Sequence, residues 1–245
     1  MTKMKRVIMA QGSKGGVGKT TFISALMEWY AANKVPVRAL DFDIENAQAS
    51  GLQHFWPSVE KFDIHRRGAL DAILEIIEDK KHDVMVIDQA AASGKPVFEW
   101  WREMAGEIGE MGVAFTSVAV VTSDPGSQVS ALKWAQEFKK DTDYLIVKNQ
   151  MNDPDETFGA WEGSDNVVKF RKSLSPREII LESRLSEFEE LSRESGIRLS
   201  TIADGEAEGL LGELRWRMRA KGYRSRIFEE LEGVKDILLP AEEKE

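Results

Sequence analysis

Gly12-Ser13-Lys14-Gly15-Gly16-Val17-Gly18-Lys19-Thr20-Thr21 is the stretch on which the fold turns. Before it, residues 5–11 are apolar and β-branched and read as a buried strand. After it, residues 19–33 carry Phe22, Ile23, Leu26 and Trp29 at helical spacing. Strand, glycine-rich turn and helix in that order bring backbone N–H groups and the positive end of a helix to one point. A phosphate chain suits that point. Gly15, Gly16, Val17, Gly18 and Thr21 belong to the cradle, Lys19 neutralises the β- and γ-phosphates, and the Thr20 hydroxyl is the natural inner ligand for Mg²⁺. A glycine turn that binds nothing has no need of the Lys19-Thr20 pair.

Working outward, the pattern alternates. Residues 35–41 predict a strand and 68–79 an amphipathic helix through Leu70, Ile73, Leu74 and Ile77. Val84-Met85-Val86-Ile87-Asp88 is a third buried strand. A helix over 97–109, a strand over 113–122, a helix over 127–140 and a strand over 144–148 follow. This predicts an α/β fold, a doubly wound and mostly parallel sheet with its ligand at the carboxyl ends of the strands. Residues 150–165, with Pro154, Gly159 and Gly163, read as an irregular loop. Beyond it we expect a strand at 178–181, helices at 185–195 and 206–221, and a frayed 242–245. Residues 1–245 are read as one domain, with a nucleotide-binding core at 1–150 completed by 166–245. Trp100, Trp101, Trp161 and Trp216 are expected in the core or at an interface.

Composition narrows the chemistry. The chain has 245 residues, no cysteine and three histidines, which excludes disulfides, iron–sulfur clusters and thiol nucleophiles. The apolar run at residues 7–10 is too short for a signal peptide, and no run is long enough to span a bilayer, so a cytoplasmic protein is expected. The net charge of −9 argues against a uniformly basic surface and leaves a local basic patch open.

The loop departs from the ordinary phosphate-loop pattern at two places. Ser13 stands where the first glycine is usual, and a second lysine, Lys14, precedes the glycine pair. The run from Lys14 to Thr20 resembles the deviant Walker A motif of the ParA/MinD group of P-loop ATPases. That resemblance implies ATP and Mg²⁺ as ligands and an ATP-dependent homodimer in which Lys14 reaches the partner's nucleotide, with an activating partner protein. Asp41-Phe42-Asp43 then resembles switch I, with Asp43 orienting the attacking water and Asp41 near the metal. Asp88 resembles the Walker B carboxylate, although Gln89-Ala90-Ala91 departs from the usual continuation. Asn149, at the end of its strand, is in the position that reads adenine in this group. A turn cap remains the alternative for Asp41 or Asp43, and a loop cap for Asn149. Lacking a DNA-binding extension before the loop, the chain looks most like the small TraL/StbB-type and carboxysome-positioning-type members.

Residues 213–226 hold Arg215, Arg217, Arg219, Lys221, Arg224 and Arg226 against Glu213 alone. Such a cluster suits non-specific DNA, as used by ParA-like relatives, or a solvated face paired with glutamates. Residues 227–245 carry seven carboxylates against two lysines, so an anionic membrane is not the expected surface. The functional expectation is a partitioning or positioning ATPase that cycles between bound and free states. The alternative is a metabolic ligase of the same superfold, resembling dethiobiotin synthetase.

Overall fold

A computed structural model describes residues 4–11, 14–43, 51–151 and 153–240. Gly12 and Ser13, with the departure at the first glycine, lie outside the described residues, as does the end at 242–245. The chain runs β1 (Lys5–Ala10), α1 (Lys19–Ala32), β2 (Val37–Asp41), α2 (Leu52–Phe55), β3 (Glu60–Lys61), α3 (Glu75–Glu78), β4 (Val84–Asp88), α4 (Gly94–Glu110) and β5 (Val113–Val121). It continues with α5 (Pro125–Phe138), β6 (Asp143–Asn149), α6 (Gly159–Glu162), α7 (Asp165–Leu174), β7 (Arg177–Leu181), α8 (Ser186–Ser195), α9 (Leu199–Asp204) and α10 (Leu214–Glu232).

The seven strands form one sheet in the order β3-β2-β4-β1-β5-β6-β7, and every pair is parallel. Alternation along each strand divides the core. Ile8, Ala10, Val84, Val86, Val118 and Val120 pack with α1 and the end of α10. Val7, Met9, Met85, Ile87 and Phe115 face α4 and α5. Both faces are covered, as uninterrupted apolar strands require. A third, smaller core joins α8, α9 and α10 around Phe188, Ile202, Trp216 and Tyr223. All four tryptophans singled out above are buried.

Three expectations are corrected. Residues 68–79 are not one α-helix: a 3₁₀ helix spans Ala69–Ile73 before α3, because apolar residues three apart serve either helix type. The stretch 150–165 is not wholly irregular, since the fully buried Trp161 anchors α6. The helix expected at 206–221 begins later and runs further. A 3₁₀ turn at Gly209–Gly212 precedes α10, whose buried Trp216, Ala220, Tyr223, Ile227 and Leu231 form one helical stripe.

Residues 236–239 dock at the amino ends of the central strands, at the opposite end of the sheet from the loop. Arg6, 3% exposed, donates to Asp143 at 2.5 Å and to the Leu239 carbonyl at 3.1 Å, and the Tyr30 hydroxyl donates to the Leu238 carbonyl at 2.6 Å. Among the described residues, no helix is long and apolar enough to cross a membrane.

Candidate phosphate-binding cleft

The carboxyl ends of β1, β2 and β4 meet in register, with Asp88 beside both Ala10 and Asp41. The glycine loop leaves β1 at this point and enters α1. Gly16 (φ +74°) and Gly18 (φ +94°) take left-handed backbone angles that side chains resist. Gly18 is also close-packed: a Cβ there would fall on the Asn149 side-chain amide.

The loop's two lysines are both engaged. Lys19, 9% exposed, donates to the Lys14 carbonyl at 2.9 Å. Burial lowers its pKa, and the charges of Asp88 and Asp43 oppose that shift. The Lys14 ammonium pairs with Asp124, whose other oxygen caps α5 by accepting the Gly126 N–H at 2.6 Å. Lys14 and Asp124 hold each other at the rim, and the pairing pulls the Asp124 pKa down.

Thr20 and Asp88 come together as expected: the hydroxyl donates to the carboxylate at 2.7 Å. Burial pushes the Asp88 pKa up to about 7, against the Thr20 hydrogen bond and with the help of the nearby Asp41 charge. Asp41 is fully buried and shifted upward for the same reason. One of its oxygens accepts the Asp43 N–H at 2.9 Å, which is the turn cap considered above. The other faces Lys61 Nζ across 3.7 Å and has no hydrogen bond. That orphaned oxygen, with Thr20 and Asp88, is a hard oxygen donor set that fits Mg²⁺. Among the described residues, no group of three or more His, Asp or Glu side chains is placed to hold a metal ion by itself.

Asp43 lines the cleft, while residues 44–50 beyond it lie outside the described residues. Asn149, 7% exposed, is placed against the loop, but its amide already serves the protein. Nδ2 donates to the Val17 carbonyl at 2.9 Å and Oδ1 accepts the Met151 N–H at 3.0 Å. The cleft of about 690 Å³ continues along α1 to Arg184, Arg193 and Arg198. These arginines were not singled out in the sequence, and no local motif marks them. Asp124 was missed too, although Asp124-Pro125 is a visible helix start.

The basic stretch lies on α10, and none of its cations lines the cleft itself, although Glu182, the partner of Arg226, does. Arg215 pairs with Glu213 and Glu187, Arg224 with Asp204 and Arg226 with Glu182. Arg217, Arg219 and Lys221 make no ion pair among the described residues.

Residues 8–99 match the family described as the CobQ/CobB/MinD/ParA nucleotide binding domain. No curated protein matches the chain. Among solved structures, the fold is similar to that of the MinD cell division protein of Aquifex aeolicus, with a TM-score of 0.51, 14% identity, and 92% of this chain and 97% of that one covered. The MinC:MinD cell division protein complex of the same organism gives 0.51, 15%, 92% and 96%. Chloroplast FtsY from Physcomitrella patens gives 0.50 at 15% identity, over 76% of this chain and 61% of that one. The glycine loop, the Asp88 strand and the sheet order agree with these likenesses: residues 8–99 are similar to the CobQ/CobB/MinD/ParA nucleotide binding domain, and the chain has a MinD-like P-loop α/β fold.

Proposed function

We propose that the chain is a ParA/MinD-type ATPase whose ATP-bound form dimerises and holds DNA or a partner protein, with hydrolysis resetting the cycle. The observation that carries the reading is the Thr20–Asp88 contact at 2.7 Å, flanked by Lys19 and by the orphaned oxygen of Asp41. Gly15 to Thr21 would hold the phosphates through backbone N–H groups and the start of α1. Lys19 would exchange the Lys14 carbonyl for phosphate oxygens. Mg²⁺, held by Thr20 and Asp88 with Asp41 near its shell, would offset charge on the phosphates. Asp43 would orient the attacking water, and Asn149 would turn its amide from the Val17 carbonyl and the Met151 N–H to the base. Lys14 would leave Asp124 and act on the partner's nucleotide, so that turnover waits for a second copy.

DNA is the surface we favour. Arg217, Arg219 and Lys221, without carboxylate partners among the described residues, remain available to phosphates, whereas Arg215, Arg224 and Arg226 are engaged in ion pairs. The test is sedimentation and DNA anisotropy with ADP, then with Mg²⁺ and a non-hydrolysable ATP analogue. A dimer that binds DNA in a salt-sensitive way only with the analogue supports the reading. An ATP-dependent dimer without DNA binding points to a protein partner, and a monomer in both states overturns the cycle.

A further inference from the structure

The outer face of α10 is not simply polar. Leu214 is 71% exposed and Met218, one turn on, is 59% exposed; Leu210, in the 3₁₀ turn before the helix, is 56% exposed. No other three large apolar side chains exposed among the described residues lie so close together in sequence. At 3.6 residues per turn, Lys221 continues the line of Leu214 and Met218, and Arg215, Arg219 and Arg226 run beside it. Arg215 and Arg226 are held by carboxylates of this chain, whereas Arg219 and Lys221 make no ion pair among the described residues. Phosphates ask for the cations and not for the leucine and methionine among them. An apolar ridge edged by cations suits a protein surface that is acidic and leaves room for the ridge.

The chain carries such a surface itself. On α4, Val97, Phe98, Trp100, Trp101 and Ile108 are buried against the sheet, and Glu99, Glu103, Glu107 and Glu110 are exposed. Lys95 lies 4.0 Å from Glu99, and Arg102 is taken by Glu137. Glu103, Glu107 and Glu110 are left without an ion pair among the described residues. Gly106 and Gly109 are exposed among these glutamates, and a Cβ at either would meet nothing within 4 Å. Neither glycine serves this chain's own packing, although each weakens the helix relative to alanine. Both leave the acidic face shallow. The two helices match in length, at 17 and 19 residues. We propose that the Leu214–Met218 ridge of one copy docks on α4 of a second copy, with Arg219 and Lys221 against Glu103 and Glu107. α4 packs on one side of the sheet, and α10, through Ile227 and Leu231, on the other. The contact is therefore heterologous: each pair leaves one α4 and one α10 free, and copies add head to tail. Arg219 and Lys221 cannot serve DNA and a second copy at once. The inference does not depend on the nucleotide reading.

The test is sedimentation equilibrium of the full chain without nucleotide or DNA, at low and at high salt. The expected result is an average mass that climbs with concentration past that of a dimer at roughly 50 mM salt and falls toward the monomer at roughly 500 mM. Arg219→Glu with Lys221→Glu leaves a monomer, and so does Glu103→Lys with Glu107→Lys. Mixing these two variants restores the growth, because the reversed charges then meet each other. Met218→Ser keeps every charge and weakens association about tenfold. All these positions are exposed, and melting temperatures near that of the wild type verify that each variant is folded. A wild-type chain that stays monomeric at low salt, or whose growth stops at a dimer, overturns the proposal. So does an α4 reversal without effect where the α10 reversal dissociates the assembly, since the ridge then has another occupant.

Discussion

The ammonium of Lys19 donates a hydrogen bond of 2.9 Å to the backbone carbonyl of Lys14, so the loop closes on its own lysine where a phosphate chain would sit. Burial already lowers the pKa of Lys19, so its charge is not well solvated there. Removing it should cost the free protein little and the complex everything. We expect Lys19→Ala to melt within about 3 °C of wild type without nucleotide. The wild type should gain roughly 4 kcal/mol of stability at nucleotide concentrations near 1,000 times its Kd, and the variant should gain none. Calorimetric melting with and without Mg²⁺ and ATP checks both halves.

Lys14 makes the second link, through its pair with Asp124. If Lys14 must cross to a partner's nucleotide, the pair competes with dimerisation. Asp124→Asn keeps an acceptor for the Gly126 N–H and so keeps the cap of α5, while removing the charge that holds Lys14. Such an exposed pair, screened by water, is worth little. The ATP-dependent dimer should therefore form at protein concentrations lower by a few-fold, and sedimentation equilibrium reads this directly. An unchanged dimer constant means that Lys14 leaves Asp124 without cost.

Gly18 joins two constraints at one Cα: a φ of +94° and contact with the Asn149 amide. Gly18→Ala would strain the backbone and drive Asn149 from the Val17 carbonyl it now holds at 2.9 Å. We expect a loss of about 1–3 kcal/mol in stability together with loss of nucleotide binding. Gly16→Ala, with the same sign of φ but no atom within 4 Å of the added Cβ, should cost less. Urea melts of the two variants compare the constraints, and equal losses would show that backbone strain alone matters.

How much of this was legible in the sequence follows from where each signal resides. The loop, Thr20, Asp41 and Asp88 could be read because their chemistry sits in short strings flanked by strand and helix periodicity. Arg184, Arg193 and Arg198 could not, since they reach the cleft only through the fold and no string marks them. α9 escaped because its N-terminus has no capping side chain of its own. The Leu199 and Ser200 N–H groups are instead taken by Glu28 of α1, 171 and 172 residues away. The end of α10 was misplaced because the sequence turns from basic to acidic near residue 227, whereas the buried stripe that makes the helix continues to Leu231. β3, two residues long, offers no period to detect.

Glu28 itself yields the last prediction. It is 4% exposed and lines the cleft, and its two oxygens accept the Leu199 and Ser200 N–H groups at 2.9 and 2.6 Å. Burial raises its pKa, and those hydrogen bonds and the charge of Arg184 only partly offset the shift. A carboxyl with a raised folded-state pKa binds more protons folded than unfolded between the two values. Its contribution is therefore most favourable at low pH, and declines as pH climbs from the ordinary glutamate range through the folded value. Glu28→Gln cannot ionise. It keeps one acceptor and loses the other, a cost that does not vary with pH. The difference in melting temperature, variant minus wild type, should thus move in the variant's favour by about 3 °C between pH 4.5 and pH 8. A difference that stays flat across that range would mean the two N–H groups and Arg184 fully compensate the buried charge.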